Sequence, residues 1–69
     1  MKAQKKFQVN SRHYLAIASA HSGQVVAQII DVKSDAVLME ATSNQALLVA
    51  LNSIEKQYRE LPRVLALNN

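Results

Sequence analysis

Two kinds of hydrophobic spacing divide the chain near Thr42. Before it, apolar residues fall in short runs of β type: Phe7 and Val9 alternate with polar neighbours, and Leu15 and Ile17 alternate with Tyr14, Ala16 and Ala18. The run Gln24 to Val32 is β-branched and apolar on both alternating sides, the pattern of a central strand. After Asn44 the apolar residues stand at Leu47, Leu51, Ile54, Tyr58 and Leu61, in steps of four, three, four and three that mark one face of an α-helix.

These patterns predict an order of elements. Residues 7–20 form one long strand or two consecutive ones, and His21-Ser22-Gly23-Gln24 is a turn that uses the only glycine where positive φ is needed. A strand over 24–32, a turn at Lys33-Ser34-Asp35 and a strand over 36–41 follow. Thr42, Ser43 and Asn44 each carry an oxygen suited to cap a helix running from about Asn44 to Glu60. Pro62 ends that helix, and Arg63 to Leu67 read as a last short strand. Residues 1–6, rich in lysine and poor in apolar groups, are expected to be a flexible basic arm, and residues 7–69 a single domain.

The predicted architecture is α+β, in the order β-β-β-α-β: a four-stranded mixed sheet with one amphipathic helix on one face. The helix acts as a crossover between parallel strands. One helix covers one face only, yet Leu15, Ile17, Val25, Val26, Ile29, Ile30, Leu65 and Leu67 supply apolar side chains to both. At about 25 cal/mol per Å² of apolar surface, leaving several of these in water costs several kcal/mol, comparable to the whole stability of a small domain. A partner on the open face or the sheet edge is therefore expected, most simply a second copy. Val26, Ile30, Leu65 and Leu67 are the interface candidates. Leu48 and Val49 join them, because they fall roughly 100° and 200° around the helix from Leu47; a wide helix face that packs deeper is the alternative explanation of those two.

Composition sharpens this expectation. A chain of 69 residues buries only roughly 60% of its unfolded surface, so stability is expected to be marginal without help, and the usual helpers are disulfides, a metal or oligomerisation. There is no cysteine, and neither His13 nor His21 has an acid close by in sequence to complete a metal ligand set. Oligomerisation remains, and the absence of cysteine fits a reducing cytoplasm. The basic start runs into Phe7-Gln8-Val9-Asn10-Ser11-Arg12 rather than a hydrophobic region, so no export signal is expected. Gln28, Asp31 and Lys33 break up the longest apolar run well short of a membrane span.

Ala41-Thr42-Ser43-Asn44-Gln45-Ala46 before the Leu-rich helix, with Arg63-Val64-Leu65-Ala66-Leu67-Asn68-Asn69 after it, resembles the first half of the ribonuclease H fold, over residues from about 12 to 69. The resemblance implies a truncated fold without its later elements. It also implies a lost activity: where that family places catalytic acids, this chain offers Ser19 in the neighbourhood of the first, Leu47 for the glutamate and Asn68 for the next aspartate. Two-metal phosphodiester hydrolysis needs several carboxylates converging on divalent ions. Such a domain is expected to grip nucleic acid or mimic a nuclease surface without cutting.

The remaining chemistry is modest. Lys2, Lys5, Lys6 and Arg12 lie in the first 13 residues with no acid among them, although the net charge is only +3. Such a group binds phosphates by counterion release, or serves simply to keep a small protein soluble. Lys56, Arg59 and Arg63 suit the negative end of the helix dipole. Tyr58 lies on the core stripe, and strand packing accounts for Phe7 and Tyr14. Ser19, Ser22 and His21 lack an orienting acid, and one glycine does not make a phosphate-cradling loop. The sequence thus points to a cytoplasmic, non-enzymatic, homodimeric binding module without cofactor, metal or membrane. Its expected role is that of an accessory or inhibitor protein, of the kind carried by phages and mobile elements, which occupies a surface on a nucleic acid or a nucleic-acid-processing protein. The alternatives are a degenerate ribonuclease H-like nuclease or transposase fragment and a purely structural protein-interaction domain.

Overall fold

Four strands and one helix follow one another without interruption: β1 (Lys2–Val9), β2 (Arg12–His21), β3 (Gln24–Asp31), β4 (Val37–Ser43) and α1 (Leu47–Leu67). The computed structural model describes the backbone of residues 1–67 and the side chains of residues 1–61. Each strand pairs antiparallel with the next, in the order β1-β2-β3-β4. This is the expected α+β class, a four-stranded sheet covered on one face by one helix, with a different arrangement of elements.

Short left-handed turns set the register. Asn10 (φ 51°) and Ser11 (φ 71°) join β1 to β2, and Ser22 (φ 49°) and Gly23 (φ 82°) join β2 to β3. Two consecutive left-handed residues match the twist of the flanking strands, and asparagine and glycine adopt that conformation most readily. The segment over 7–20 is therefore two strands divided at Asn10-Ser11. The β3–β4 connection is held by Asp31, whose carboxylate accepts from the Lys33 amide at 2.8 Å and whose backbone receives the amide of Asp35 (φ 62°) at 2.8 Å. A β-bulge follows: Ile29 faces Met39 and Ile30 faces Val37, which leaves Leu38 as the extra residue of β4.

Two expectations are overturned. Residues 2–6 are not an arm but the first half of β1, paired from Lys2↔Ser19 to Lys6↔Leu15, and the Met1 carbonyl accepts the Ala20 amide at 3.0 Å. Apolar content on one side of the strand is enough, because β2 supplies the ladder and lysine stems cover apolar surface while their ammonium groups stay in water. Residues 63–67 are not a strand after the helix. They continue α1 through Pro62, so the sheet has no parallel pair. Proline removes one helical hydrogen bond at a cost of about 3 kcal/mol, but the Arg, Leu and Ala around it are good helix formers. The strand-helix-strand order on which the ribonuclease H resemblance rested is absent from the described residues.

The helix sits on a floor of small side chains. Across the inner face the strands align Ala3, Ala18, Ala27 and Ala41 in one row, followed by Lys5, Ala16, Ile29 and Met39, then Phe7, Tyr14 and Asp31. Ala16, Ala18, Ala27 and Ile29 are buried beneath Ala50, Leu51 and Ile54 of α1. Alanine lets the helix approach closely, and the larger Ile, Leu and Phe fill the space on either side.

α1 begins at Leu47, with the Ala46 carbonyl accepting the Ala50 amide at 2.9 Å. Ser43 Oγ instead accepts the Gln45 amide at 3.3 Å, so it shapes the connection and does not cap the helix. Two stability changes follow from this packing. Ala18→Leu forces the helix off its floor and should destabilise by roughly 1–3 kcal/mol in urea unfolding. Ser11→Gly relieves a left-handed serine and should stabilise by about 0.5–1 kcal/mol in the same measurement.

Candidate binding surface

The side of the sheet away from α1 presents a regular grid. Strand register places Lys6, Leu15, Ile30 and Val37 in one cross-strand row; Gln4, Ile17, Gln28 and Glu40 in the next; and Lys2, Ser19, Val26 and Thr42 in the third. Leu15, Ile17, Val26 and Ile30 are half-buried by their strand neighbours alone, for no element of the described chain lies over them. Val37, Leu38 and Val32 are exposed beside them. The β1 margin of this face carries only Lys and Gln (Lys2, Gln4, Lys6, Gln8), whereas the β4 margin carries its single acid, Glu40. Glu40 accepts a hydrogen bond from Gln28 Nε2 at 2.7 Å, which orients both side chains across the surface.

The other face uses its charges for packing. Glu55, only 8% exposed, sits on the side of α1 nearest β1, where one carboxylate oxygen lies 2.7 Å from Lys5 Nζ and the other 2.8 Å from Arg59 Nε. The Lys5 ammonium, above all, holds the Glu55 carboxyl below its ordinary pKa, with Arg59 assisting and partial desolvation opposing. Arg59 also lies 5.0 Å from the centroid of the Phe7 ring and donates to the Gln8 carbonyl at 3.4 Å. Phe7, Tyr14 and Tyr58 pack as a cluster with ring centroids 4.8 to 6.2 Å apart. Burial first, then the neighbouring Tyr14 hydroxyl, pushes the Tyr58 hydroxyl up to about 12. Tyr58 therefore keeps its proton in the fold above its ordinary pKa, and stability falls as pH rises from about 10 toward 12.

The residues singled out from sequence separate by face. Lys2 and Lys6 stand on the open side and make no ion pair among the described residues, but Lys5 points the other way and is engaged by Glu55. A basic arm made of all three is thus replaced by a strand that alternates them. Arg12 pairs with Val9 at the hairpin end of the sheet, where Ser11, Arg12, His13, Asp31, Val32 and Lys33 surround a shallow concavity.

Val26 and Ile30 lie on the open face. Leu48, 65% exposed, and Val49, 50% exposed, both project away from the core, so the helix does not pack deeply enough to bury them. Leu65 and Leu67 fall in the last part of α1, where their side chains lie outside the described residues, as does Asn68 altogether. Arg59, expected to serve the helix dipole, instead bonds Glu55 one turn earlier. The Lys5–Glu55 and Gln28–Glu40 contacts were not anticipated, because they join residues 50 and 12 positions apart in the chain. Ser19 lies between Lys2 and Val26 on the open face, and Leu47 packs against the core; among the described residues no three His, Asp or Glu side chains gather in a metal-binding group.

No protein-family model, no curated protein and no solved structure matches this chain. No helix of the described residues is long and apolar enough to cross a membrane. The Lys5–Glu55–Arg59 cluster predicts an acid limb of stability. Because the folded pKa of Glu55 is lowered, the unfolded chain binds more protons in acid, so the contribution is complete above about pH 4.5 and is lost as pH falls through the folded value. Glu55→Gln should lower stability at pH 7 by roughly 1–2 kcal/mol and flatten that limb in unfolding curves recorded between about pH 2 and 7.

Proposed function

We propose that the chain is a small non-enzymatic binding module, homodimeric and cytoplasmic, that acts as an accessory or inhibitor protein by occupying a surface on a nucleic acid. The carrying observation is the open sheet face, whose apolar centre of Leu15, Ile17, Val26 and Ile30 is edged by Lys2 and Lys6. The apolar centre serves a second copy of the chain. The cations at the hairpin end, Arg12 and Lys33, meet phosphates. Neither of them makes an ion pair among the described residues, unlike Lys5 and Arg59.

Contact with nucleic acid is electrostatic and independent of sequence. The aromatic side chains that could stack on bases, Phe7, Tyr14 and Tyr58, are used up in the core cluster. The acids are few and dispersed, which supports a role in holding rather than cutting.

Light scattering at two salt concentrations, with and without mixed-sequence DNA, tests both parts. The expected result is a dimer that gains mass with DNA at low salt only. Ile30→Lys should give a folded monomer, and replacing Arg12 and Lys33 with alanine should weaken DNA binding and reduce the slope of log affinity against log salt by about 0.7–0.9 per lost phosphate contact. A monomer at all concentrations that ignores DNA overturns the proposal and directs the search to a protein partner.

A further inference from the structure

The open face carries enough charge pattern to choose between two ways of pairing it with itself. Two sheets meeting face to face through a two-fold axis stack in one of two senses. An axis across the strands lays each strand over its own copy, so that β1 meets β1 and β4 meets β4. Lys2 and Lys6 then oppose the same lysines, and Glu40 opposes Glu40. An axis along the strands lays β1 over the partner's β4 and β2 over the partner's β3. Gln4 and Glu40 share a row, and Lys2 and Lys6 stand one row to either side, about 7 Å away along the strand. In this sense Lys2 and Lys6 flank the partner's Glu40, and Leu15 stacks on the partner's Ile30.

We propose that the partner on the open face is a second copy seated with its strands along the two-fold axis, β1 over β4, selected by Lys2 and Lys6 against Glu40. The inference rests on the reading of the open face as the dimer surface and adds its orientation. Charge complementarity carries it: the face has one acid, on one margin, and its lysines are confined to the other. Gln28 already holds Glu40 by a 2.7 Å hydrogen bond, so the acid meets the lysines in a set position.

The area sets the strength. Four strands about 4.8 Å apart and some six residues long make a footprint of about 400 Å² per copy, about 800 Å² in total, below the size of a stable specific interface and in the range of weak, transient ones. The dimer is therefore concentration-dependent and not permanent. The same axis also brings the two hairpin ends together, with Arg12, His13 and Lys33 of both copies at one end of the dimer. This joins two weak cationic sites into one phosphate-binding surface. The crossed alternative would put them at opposite ends.

Charge reversal separates the two orientations. Sedimentation equilibrium of the full chain at low salt, with folding checked by circular dichroism, is the measurement. Glu40→Lys alone, and Lys2→Glu with Lys6→Glu, should each raise the dimer dissociation constant about tenfold or more by placing like charges opposite one another. The chain carrying all three changes should return to within about threefold of the unaltered protein, because glutamates on β1 then face lysine on the partner's β4.

In the crossed orientation the triple variant keeps like facing like and gains nothing. A triple variant no tighter than its parents, or parents as tight as the unaltered chain, overturns the orientation. The Ile30→Lys variant keeps the two levels apart. If it leaves the dimer intact, the open face is not the interface at all; if it dissociates the dimer while the triple change fails to restore it, only the orientation is wrong.

Discussion

The close seat of α1 on the alanine row is the constraint from which the remaining architecture follows. Each strand contributes one alanine to that row, so the helix approaches all four strands and the larger residues Ile29, Leu51 and Ile54 fill the space around the contact. A larger side chain at any of these positions would tilt or lift the helix. Because a single helix satisfies only one face of a sheet, the same contact that closes the core leaves the opposite face without cover. The structure therefore has one side organised for its own stability and one side available to something else.

Charge is divided along the same line. On the inner side Glu55 draws in Lys5 and Arg59 and ties the helix to the edge strand β1, while the Phe7, Tyr14 and Tyr58 cluster lies beside it. On the outer side Lys2 and Lys6 have no such partner among the described residues. The one-residue alternation of β1 thus assigns neighbouring lysines, Lys5 and Lys6, to opposite tasks. Lysines along β1 also discourage further strands from adding to that edge, whereas β4 is marked only by its bulge and by Glu40. The uncovered apolar surface in consequence lies on the open face and not along the β1 edge.

Where the expectations went astray, a local signal was outweighed by a distant one. Lysine-rich residues 2–6 have little reason to be ordered by themselves, and they become a strand because β2 offers a full ladder and an alanine floor. Pro62 is a strong local stop, yet α1 passes through it. Asn10-Ser11 carried a turn signal weaker than that of Ser22-Gly23, so the first hairpin was harder to see than the second, although both use paired left-handed residues. Helical spacing around Leu47, by contrast, implied that at least one of Leu48 and Val49 projects outward and left a deeper-packing helix face as the alternative, and the structure leaves both exposed.

Periodicity in the sequence determined the α+β class, the strands β3 and β4, the amphipathic stripe of α1 and the surplus of apolar side chains over what one helix covers, because these depend on residues within a few positions of one another. Register decided the rest. The alanine row, the Lys5–Glu55 contact and the opposition of Lys2 and Lys6 to Glu40 across the open face join residues far apart in the chain, and a shift of one residue in a strand would turn that strand's side chains to the other face. Only the folded sheet, pinned by its left-handed turns and by the helix on its alanine floor, decides which lysine stabilises the fold and which stands on the uncovered face.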